Sequence, residues 1–260
     1  MIPPLVDMHC HLLAGLDDGP PTDEVAETMC RLAYEDGTRL VAALAHQNER
    51  WSAVTPQRIR AAHEHLATRL QELGIGLTVF PCAEVMADLD TETKWRQGRL
   101  LSMADRGQYM LLEMPHGLFV DLTATVRGLR ESGIRPILAH PEREEEFLHE
   151  AGLIEALIEE GCLVQVSASS VTNPRNRVDA QALKSWFKRG VVHCLGSDGH
   201  SVHRRPPTLR AAYEQIVRWV GESVADRICS THGMAILNGM PLRLRKPEPR
   251  KVGWFTRLLG

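Results

Sequence analysis

Leu5-Val6-Asp7-Met8-His9-Cys10-His11 sets two imidazoles two residues apart at the end of a short apolar run near the N-terminus. Alternate residues of a strand share a face, so His9 and His11 point the same way. Two neutral imidazoles converging at a strand end suit a divalent metal, and Asp17-Asp18-Gly19 follows within one loop's reach to add hard oxygen ligands. An isolated His-x-His reads more simply as two surface histidines flanking a strand end. Here the metal reading gains, because matching pieces recur down the chain.

After this strand, Asp17 to Pro21 is turn chemistry, Thr22 is the expected N-cap of a helix over 23–36, and Gly37 is its stop. A second apolar run, 39–45, ends in His46. Thr55-Pro56 opens an amphipathic helix reaching 73 and closed by Gly74, and a third strand, 77–81, leads to Glu84. The stretch 88–107 is irregular, with room for a short helix and an active-site loop. A fourth strand, 109–112, ends in Glu113; a helix over 122–131 stops at Gly133; a fifth strand, 135–139, ends in His140-Pro141-Glu142-Arg143. One helix is expected over 145–160, followed by a strand at 163–166 and the cluster Ser167-Ala168-Ser169-Ser170. A helix over 179–188 and a strand over 191–195 lead to Gly196-Ser197-Asp198-Gly199-His200, and helices over 207–220 and 223–237 follow.

Seven strands alternating with helices predict a mostly parallel sheet with right-handed crossovers, closed most economically as a distorted (β/α)7 TIM-like barrel of the α/β class. Functional residues of such barrels sit at the C-terminal strand ends. His9, His11, His46, Glu84, Glu113, His140, Asp198 and His200 all fall there, whereas an open doubly wound sheet would gather ligands at one switch point. A chain of 260 residues is an ordinary length for one such barrel. The expected division is a barrel over 1–240 and a tail over 241–260, basic from Arg243 to Lys251 and apolar at Trp254, Phe255, Leu258 and Leu259. That tail reads either as docked on the barrel or as a weak membrane or partner anchor.

A net charge of −3 with 24% charged residues provides no basic field for nucleic acid. No apolar run approaches the roughly 18 residues that span a bilayer, and Met1-Ile2-Pro3-Pro4 lacks the regions of a signal peptide, so a cytoplasmic location is expected. The six cysteines form no C-x-x-C pair and read as reduced, buried apolar residues. None is followed six positions later by an arginine, so a cysteine nucleophile with a phosphate-cradling arginine at that spacing is absent. Five histidines (His9, His11, His46, His140, His200) and four carboxylates (Asp18, Glu84, Glu113, Asp198) are too many for one metal. A mixed imidazole and carboxylate set fits two or three zinc, manganese or iron ions, a grouping typical of phosphate-ester hydrolysis.

His9-Cys10-His11, Asp17-Asp18-Gly19-Pro20, Ala83-Glu84, His140-Pro141-Glu142-Arg143 and Ser197-Asp198-Gly199-His200, in this order, resemble the PHP (polymerase and histidinol phosphatase) superfamily. Within it, the D-D-G-P and H-P-E-R runs and Arg204-Arg205-Pro206-Pro207 resemble the bacterial manganese-dependent protein tyrosine phosphatases of capsule and exopolysaccharide biosynthesis clusters. The resemblance runs from Val6 to about Leu237 and implies the PHP fold with a trinuclear site. In it, His9, His11, Glu84 and Asp198 would hold one ion. Glu84 would bridge to a second held with Glu113 and His140, and Asp18, His46 and His200 would hold the third. Manganese is the implied ion, with iron, zinc and magnesium as alternatives. Arg143 and Arg205 match the phosphate-binding arginines, whose guanidinium forks suit a dianionic phosphate. The implied mechanism is in-line attack by a metal-bound hydroxide without a covalent enzyme intermediate. The implied partner is a phosphotyrosine protein, a tyrosine kinase of polysaccharide export.

Two positions depart from the pattern: Gln47 stands where many relatives carry a second histidine, and Gly199 where a larger residue is common. Neither removes a ligand. A small-molecule phosphatase of the histidinol-phosphate type and a non-catalytic metal-binding regulatory barrel are the competing functions. Asp7, just ahead of the ligand histidines, is expected to cap or to support them from behind and not to bind metal. His63, His65 and His149 read as packed or solvated helix residues, His193 and His232 as structural, and His116 and His203 as near the pocket. Met114, His116 and Phe119 are expected to form one wall beside an aromatic ring. No general acid stands out, which suits a phenolic leaving group of pKa about 10.

Overall fold

The computed structural model describes residues 2–150 and 152–242, so the expected tail lies outside the described residues from 243 onward. Seven strands form one parallel sheet in chain order: β1 (Leu5–His11), β2 (Thr38–Gln47), β3 (Thr78–Met86), β4 (Tyr109–Glu113), β5 (Arg135–Ala139), β6 (Leu163–Ser167) and β7 (Cys194–Gly196). The ring nearly closes. Between β1 and the residues just after β7 there is one isolated parallel bridge among the described residues, Cys10 to Gly199, supported by the His11 N–H donating to the Gly199 carbonyl (2.9 Å) and the Asp198 N–H to the His9 carbonyl (2.7 Å). This is the expected TIM-like barrel, and near-continuous apolar runs explain it, since parallel strands are buried on both faces. β1 is buried at every position.

Helices alternate with the strands where glycines and caps allow. α1 (Asp23–Asp36) ends at Gly37, whose φ of 111° only glycine adopts readily; Thr22 sits at the N-cap but makes no side-chain capping bond. α2 (Pro56–Glu72) is started by the Thr55 hydroxyl, which accepts from the Arg58 N–H at 3.3 Å, with Pro56 in the first turn. The irregular stretch contains α3 (Thr91–Arg96) and a 3₁₀ turn at Met103–Asp105, and α4 (Thr123–Glu131) follows β4.

Several expected boundaries are corrected. The helix read over 145–160 is two, α5 (Glu145–His149) and α6 (Leu153–Glu159), because Gly152 takes φ 112° and its N–H is capped by the Glu155 carboxylate at 3.0 Å. The serine cluster opens an unexpected helix, α7 (Ala168–Thr172). α8 (Arg177–Arg189) begins two residues early because the Asn176 side chain accepts from the Val178 and Asp179 N–H groups at 2.8 and 3.0 Å. β3 runs on to Met86 because it pairs residue for residue with β2 from Leu40 to Gln47 and with β4 as far as Met86, so Glu84 lies inside the strand. β7 is shorter than expected. The last segments are α9 (Arg210–Val220), α10 (Glu222–Asp226) and α11 (His232–Leu237), the final two joined by a π-turn at Arg227–Thr231 where one helix was expected.

The barrel interior below the ligand layer is filled by Val6, Met8, Leu44, Leu111 and Ile137, and plugged from below by Ile236 and Leu237 of α11. Each such Leu or Ile is worth roughly 2 kcal/mol of apolar burial. At the N-terminal ends of the strands, the Tyr109 hydroxyl donates to the Met240 carbonyl (2.8 Å) and accepts from the Leu242 N–H (3.2 Å), while Arg135 donates to the Leu242 carbonyl (2.9 Å). No helix among the described residues is long and apolar enough to cross a membrane.

Candidate metal centre

The parallel register places Glu84 of β3 beside His46 of β2, and the pleat turns His9 and His11 of β1 toward the same mouth. All nine expected ligand residues converge there. Eight are buried and Asp18, on the loop after β1, is part exposed. Glu84 is the hub. Its Oε2 lies 3.3 Å from His9 Nε2, 3.2 Å from His11 Nε2 and 3.1 Å from His46 Nδ1, and its Oε1 lies 3.0 Å from His140 Nε2. Asp198 Oδ1 approaches His9 Nε2 at 3.4 Å, and Asp18 Oδ1 lies 3.4 Å from His46 Nε2 and 3.6 Å from His200 Nε2. Glu113 completes the ring, 3.6 Å from His46 Nδ1 and 3.7 Å from His140 Nε2.

Three donor sets each bring their ligand atoms within 4.8 Å of one another: His11, Asp18, His46 and His200; His9, His11 and Glu84; and His46, Glu84 and Glu113. His9 Nε2, His11 Nε2, His46 Nδ1 and Glu113 Oε2 are buried without a hydrogen-bond partner among the described residues. Left so, each costs on the order of 1–3 kcal/mol. Lone-pair donors of mixed nitrogen and oxygen type, gathered and unpartnered, are what divalent transition ions bind, so the residues fit the expected metals.

The far sides of the rings are held by Gln165, which no motif revealed, and by Asp17 of the D-D-G-P run, which the sequence read as adding an oxygen ligand and not as a support. His9 Nδ1 pairs with Gln165 Oε1 at 3.0 Å, and His11 Nδ1 with Asp17 Oδ2 at 2.7 Å. Asp17 also accepts from the Gly19 and His46 N–H groups, both at 2.9 Å. Such contacts fix ring orientation and basicity. The available signal was the lone amide inside the apolar Leu163–Ser167 strand. Asp7 has the supporting role expected of it: Oδ1 accepts from the His9 N–H (3.1 Å) and the Ser197 N–H (2.8 Å), and burial pushes its carboxyl up to about 6.

Burial and neighbouring charges set the ionisation of the cage. Burial disfavours an ionised Glu84, yet the charge of His9, the close approach of His11 and the hydrogen bond with His140 hold it well below the usual carboxylate range. Burial likewise disfavours a charged His11, but Asp17 and Glu84 outweigh it and push the ring up to about 10. Glu113 is pushed up to about 7 by burial and by the charge of Glu84 beside it. His140 and Asp198 carry their side chains on left-handed backbone, φ 33° and 55°, a conformation that costs non-glycine residues about 1–3 kcal/mol.

Arg143 and Arg205 both donate to Asp198 Oδ2, and Arg143 also donates to the Ser167 hydroxyl at 3.1 Å. Glu142 accepts from the Ser167 N–H at 2.9 Å, so the serine cluster satisfies polar groups at the mouth, as expected, and holds the 141–143 turn. Both guanidinium groups remain over a third exposed and face a cleft of about 1160 Å³. Its walls come from the 48–57 segment, from 86–100, and from Pro115 and His116.

The expected wall of Met114, His116 and Phe119 is corrected: only His116 lines the cleft. Glu113 faces the barrel interior, so the alternation of the strand turns Met114 outward into the core, and Phe119 packs edge-on against Phe147 with centroids 5.0 Å apart. Trp51, with Arg50 over its ring at 5.2 Å, supplies the aromatic surface instead. His203 is not on the cleft. His63 meets the Val79 carbonyl (3.0 Å), His65 pairs with Asp23 (2.9 Å) and His149 with Asp179 (3.2 Å). His193 Nδ1 accepts from the Val164 N–H (3.0 Å) and His232 Nδ1 meets the His193 carbonyl (2.8 Å), both structural as expected. All six cysteines are buried, and burial pushes Cys30, Cys82 and Cys162 up to about 12 and raises the other three as well. Thiols so hard to ionise are poor nucleophiles.

A family model described as "Capsular polysaccharide synthesis, CpsB/CapC" matches residues 5–238. Tyrosine-protein phosphatase YwqE of Bacillus subtilis is 30% identical over 259 residues, covering 95% of this chain and 97% of that protein. Tyrosine-protein phosphatase CpsB of Streptococcus pneumoniae is 23% identical over 230 residues, covering 86% and 94%. A crystal structure from work on YwqE and CpsB, presented there as unique metal-dependent tyrosine phosphatases, matches with a TM-score of 0.86 at 26% identity over 95% of this chain and 100% of its own. L-hydantoinase from Arthrobacter aurescens shares the fold alone, with a TM-score of 0.56 at 12% identity, covering 91% of this chain and 71% of that one.

Proposed function

The chain belongs to the CpsB/CapC family of capsular polysaccharide synthesis, and from that membership we infer that it is a metal-dependent tyrosine phosphatase, a phosphoric monoester hydrolase. The observation that carries the reading is the ring of unpartnered donors around Glu84, opening beneath two arginines into the cleft. That the donor set is complete speaks against a non-catalytic barrel. A cleft of about 1160 Å³ exceeds the roughly 300–1,000 Å³ of small-molecule sites, which favours a peptide segment over histidinol phosphate.

Three ions are proposed: one held by His9, His11, Glu84 and Asp198, one by Glu84, Glu113 and His140, and one by Asp18, His46 and His200. His11 and His46 each stand close enough to be shared with a neighbouring set. Manganese is the ion assigned first, and iron, zinc and magnesium are accommodated by the same donors. Such ions, when bound, supply Lewis-acid polarisation of the phosphoryl oxygens and an activated water. Arg143 and Arg205 are the proposed phosphate-binding residues. Asp198 and Ser167 orient their forks, and the exposed N–H groups clamp the phosphoryl charge as it redistributes. The phenol of tyrosine, with a pKa of about 10, leaves without a strong acid beside it.

The proposed partner is a tyrosine kinase of polysaccharide export in the cytoplasm. The basic and apolar residues beyond 242 are proposed to add weak affinity for an anionic membrane. Two measurements test these readings. With defined metals, kcat/KM on a phosphotyrosine peptide should exceed that on a phosphoserine peptide and on histidinol phosphate, and chelation should abolish turnover. A clear preference for histidinol phosphate, or full activity without metal, overturns the assignment. Deleting 243–260 should abolish binding to anionic liposomes and spare turnover of small substrates; unchanged liposome binding removes the membrane proposal.

A further inference from the structure

Gln47, at the end of β2, is almost fully buried (7% exposed) in the wall of the cleft. Its side-chain amide is used on every side. Nε2 donates to the Val54 carbonyl and to the Arg99 carbonyl, both at 3.3 Å, and Oε1 accepts from the Leu101 N–H at 2.8 Å. Val54 ends the turn that displays Arg50 and Trp51, itself closed by Asn48, which accepts from the Trp51 N–H at 3.1 Å. Arg99 and Leu101 belong to the opposite segment after α3. One side chain therefore ties together two cleft walls 45 residues apart in sequence (99 − 54).

We propose that Gln47 is a positioning residue which sets the separation of these two walls, and so determines how well the residues flanking a phosphotyrosine are held. The chemistry is particular to a primary amide. Two donors and an acceptor are needed at one point; a neutral imidazole offers one of each, a carboxylate no donor, and a leucine nothing. The metal ligands do not depend on these three bonds, whereas the walls that meet the peptide do. The inference rests on the tyrosine phosphatase reading for its substrate and on the geometry alone for its mechanics.

The test uses the full-length, metal-loaded enzyme and the variants Gln47→Leu, Gln47→Glu and Gln47→His. A phosphotyrosyl peptide is compared with p-nitrophenyl phosphate, and the Leu101 amide is followed by hydrogen exchange. In Gln47→Leu the ratio of kcat/KM between peptide and aryl phosphate should fall about tenfold, carried by the KM for the peptide, with bound metal unchanged. Leu101 exchange should accelerate at least about tenfold while amides of β1 keep their protection. Gln47→Glu retains an acceptor for the Leu101 N–H, so it should keep that protection yet lose the peptide preference, because its oxygens repel the Val54 and Arg99 carbonyls. Gln47→His should fall between. Equal losses on both substrates, an unaltered ratio, or unaltered Leu101 exchange in Gln47→Leu overturns the proposal. Should the wild type fail to turn over phosphotyrosyl peptide, the function assignment falls, and the exchange measurement alone then decides the role of Gln47. Loss of fold in the leucine variant shifts the decision to the glutamate and histidine variants, whose peptide preference must fall for the proposal to stand.

Discussion

Glu84 meets four imidazoles because they approach from three different strand ends, those of β1, β2 and β5, and no pair of them is near in sequence except His9 and His11. The residues behind the proposed ligands are expected to matter beside them. Asp17 Oδ2 holds the far nitrogen of His11, and Asp17→Asn should weaken metal affinity about 10–100-fold, as measured by metal titration at fixed pH. Unchanged affinity would mean that the β1 ring is oriented by its strand alone. Arg205 donates to the same Asp198 oxygen as Arg143 but remains open to the cleft. Arg205→Ala should lower kcat/KM about 100-fold with bound metal retained, and Arg205→Lys should recover only part of it, since an ammonium lacks the fork. Wild-type kcat/KM in the alanine variant would remove Arg205 from phosphate binding.

The strands were legible because parallel strands buried on both faces read as apolar runs, and every run but the sixth led to a residue able to bind metal. What sequence could not show was set by tertiary pairing. Pro81 looked like the end of β3, yet the ladder with β2 carries the strand to Val85 and that with β4 to Met86. Gln165 looked like a stray amide until the sheet order brought it to His9. Met114 looked like pocket wall, but the parity set by Glu113 turns it into the core. The nine proposed ligands and two arginines were legible at strand ends and in motifs, and the family resemblance already implied Glu84 as a bridge; its approach to four imidazoles at once was not legible, because it depends on which strand neighbours which. Gly152 shows the same limit in a helix, where an apolar period concealed a break. With φ at 112°, Gly152→Ala should cost about 1 kcal/mol and lower Tm by roughly 2–4 °C in thermal melts. No change would mean that the α5–α6 junction relaxes freely.

At the scale of the whole barrel, pH acts on a buried ring far from the mouth. His193 is held neutral, pushed down to about 3 by burial and by the neighbouring charge of His232. The unfolded ring takes a proton near pH 6.5 while the folded ring does not, so stability present above pH 6.5 is lost as pH falls toward 3. At pH 4 the cost is on the order of 3 kcal/mol. His193→Asn keeps an acceptor for the Val164 N–H, so urea melts of chelated protein should show a shallower loss between pH 6.5 and 4; an identical slope would place the acid sensitivity elsewhere. The floor of the barrel has a consequence of another kind. β1 starts there, and Tyr109 and Arg135 strap residues 240–242 to the starts of β4 and β5. Both ends of the described chain thus sit at the pole opposite the cleft. A bead or sensor chip coupled to a residue of this floor takes hold of the molecule by its back, leaving the opening turned outward to whatever long polypeptide is passed across it.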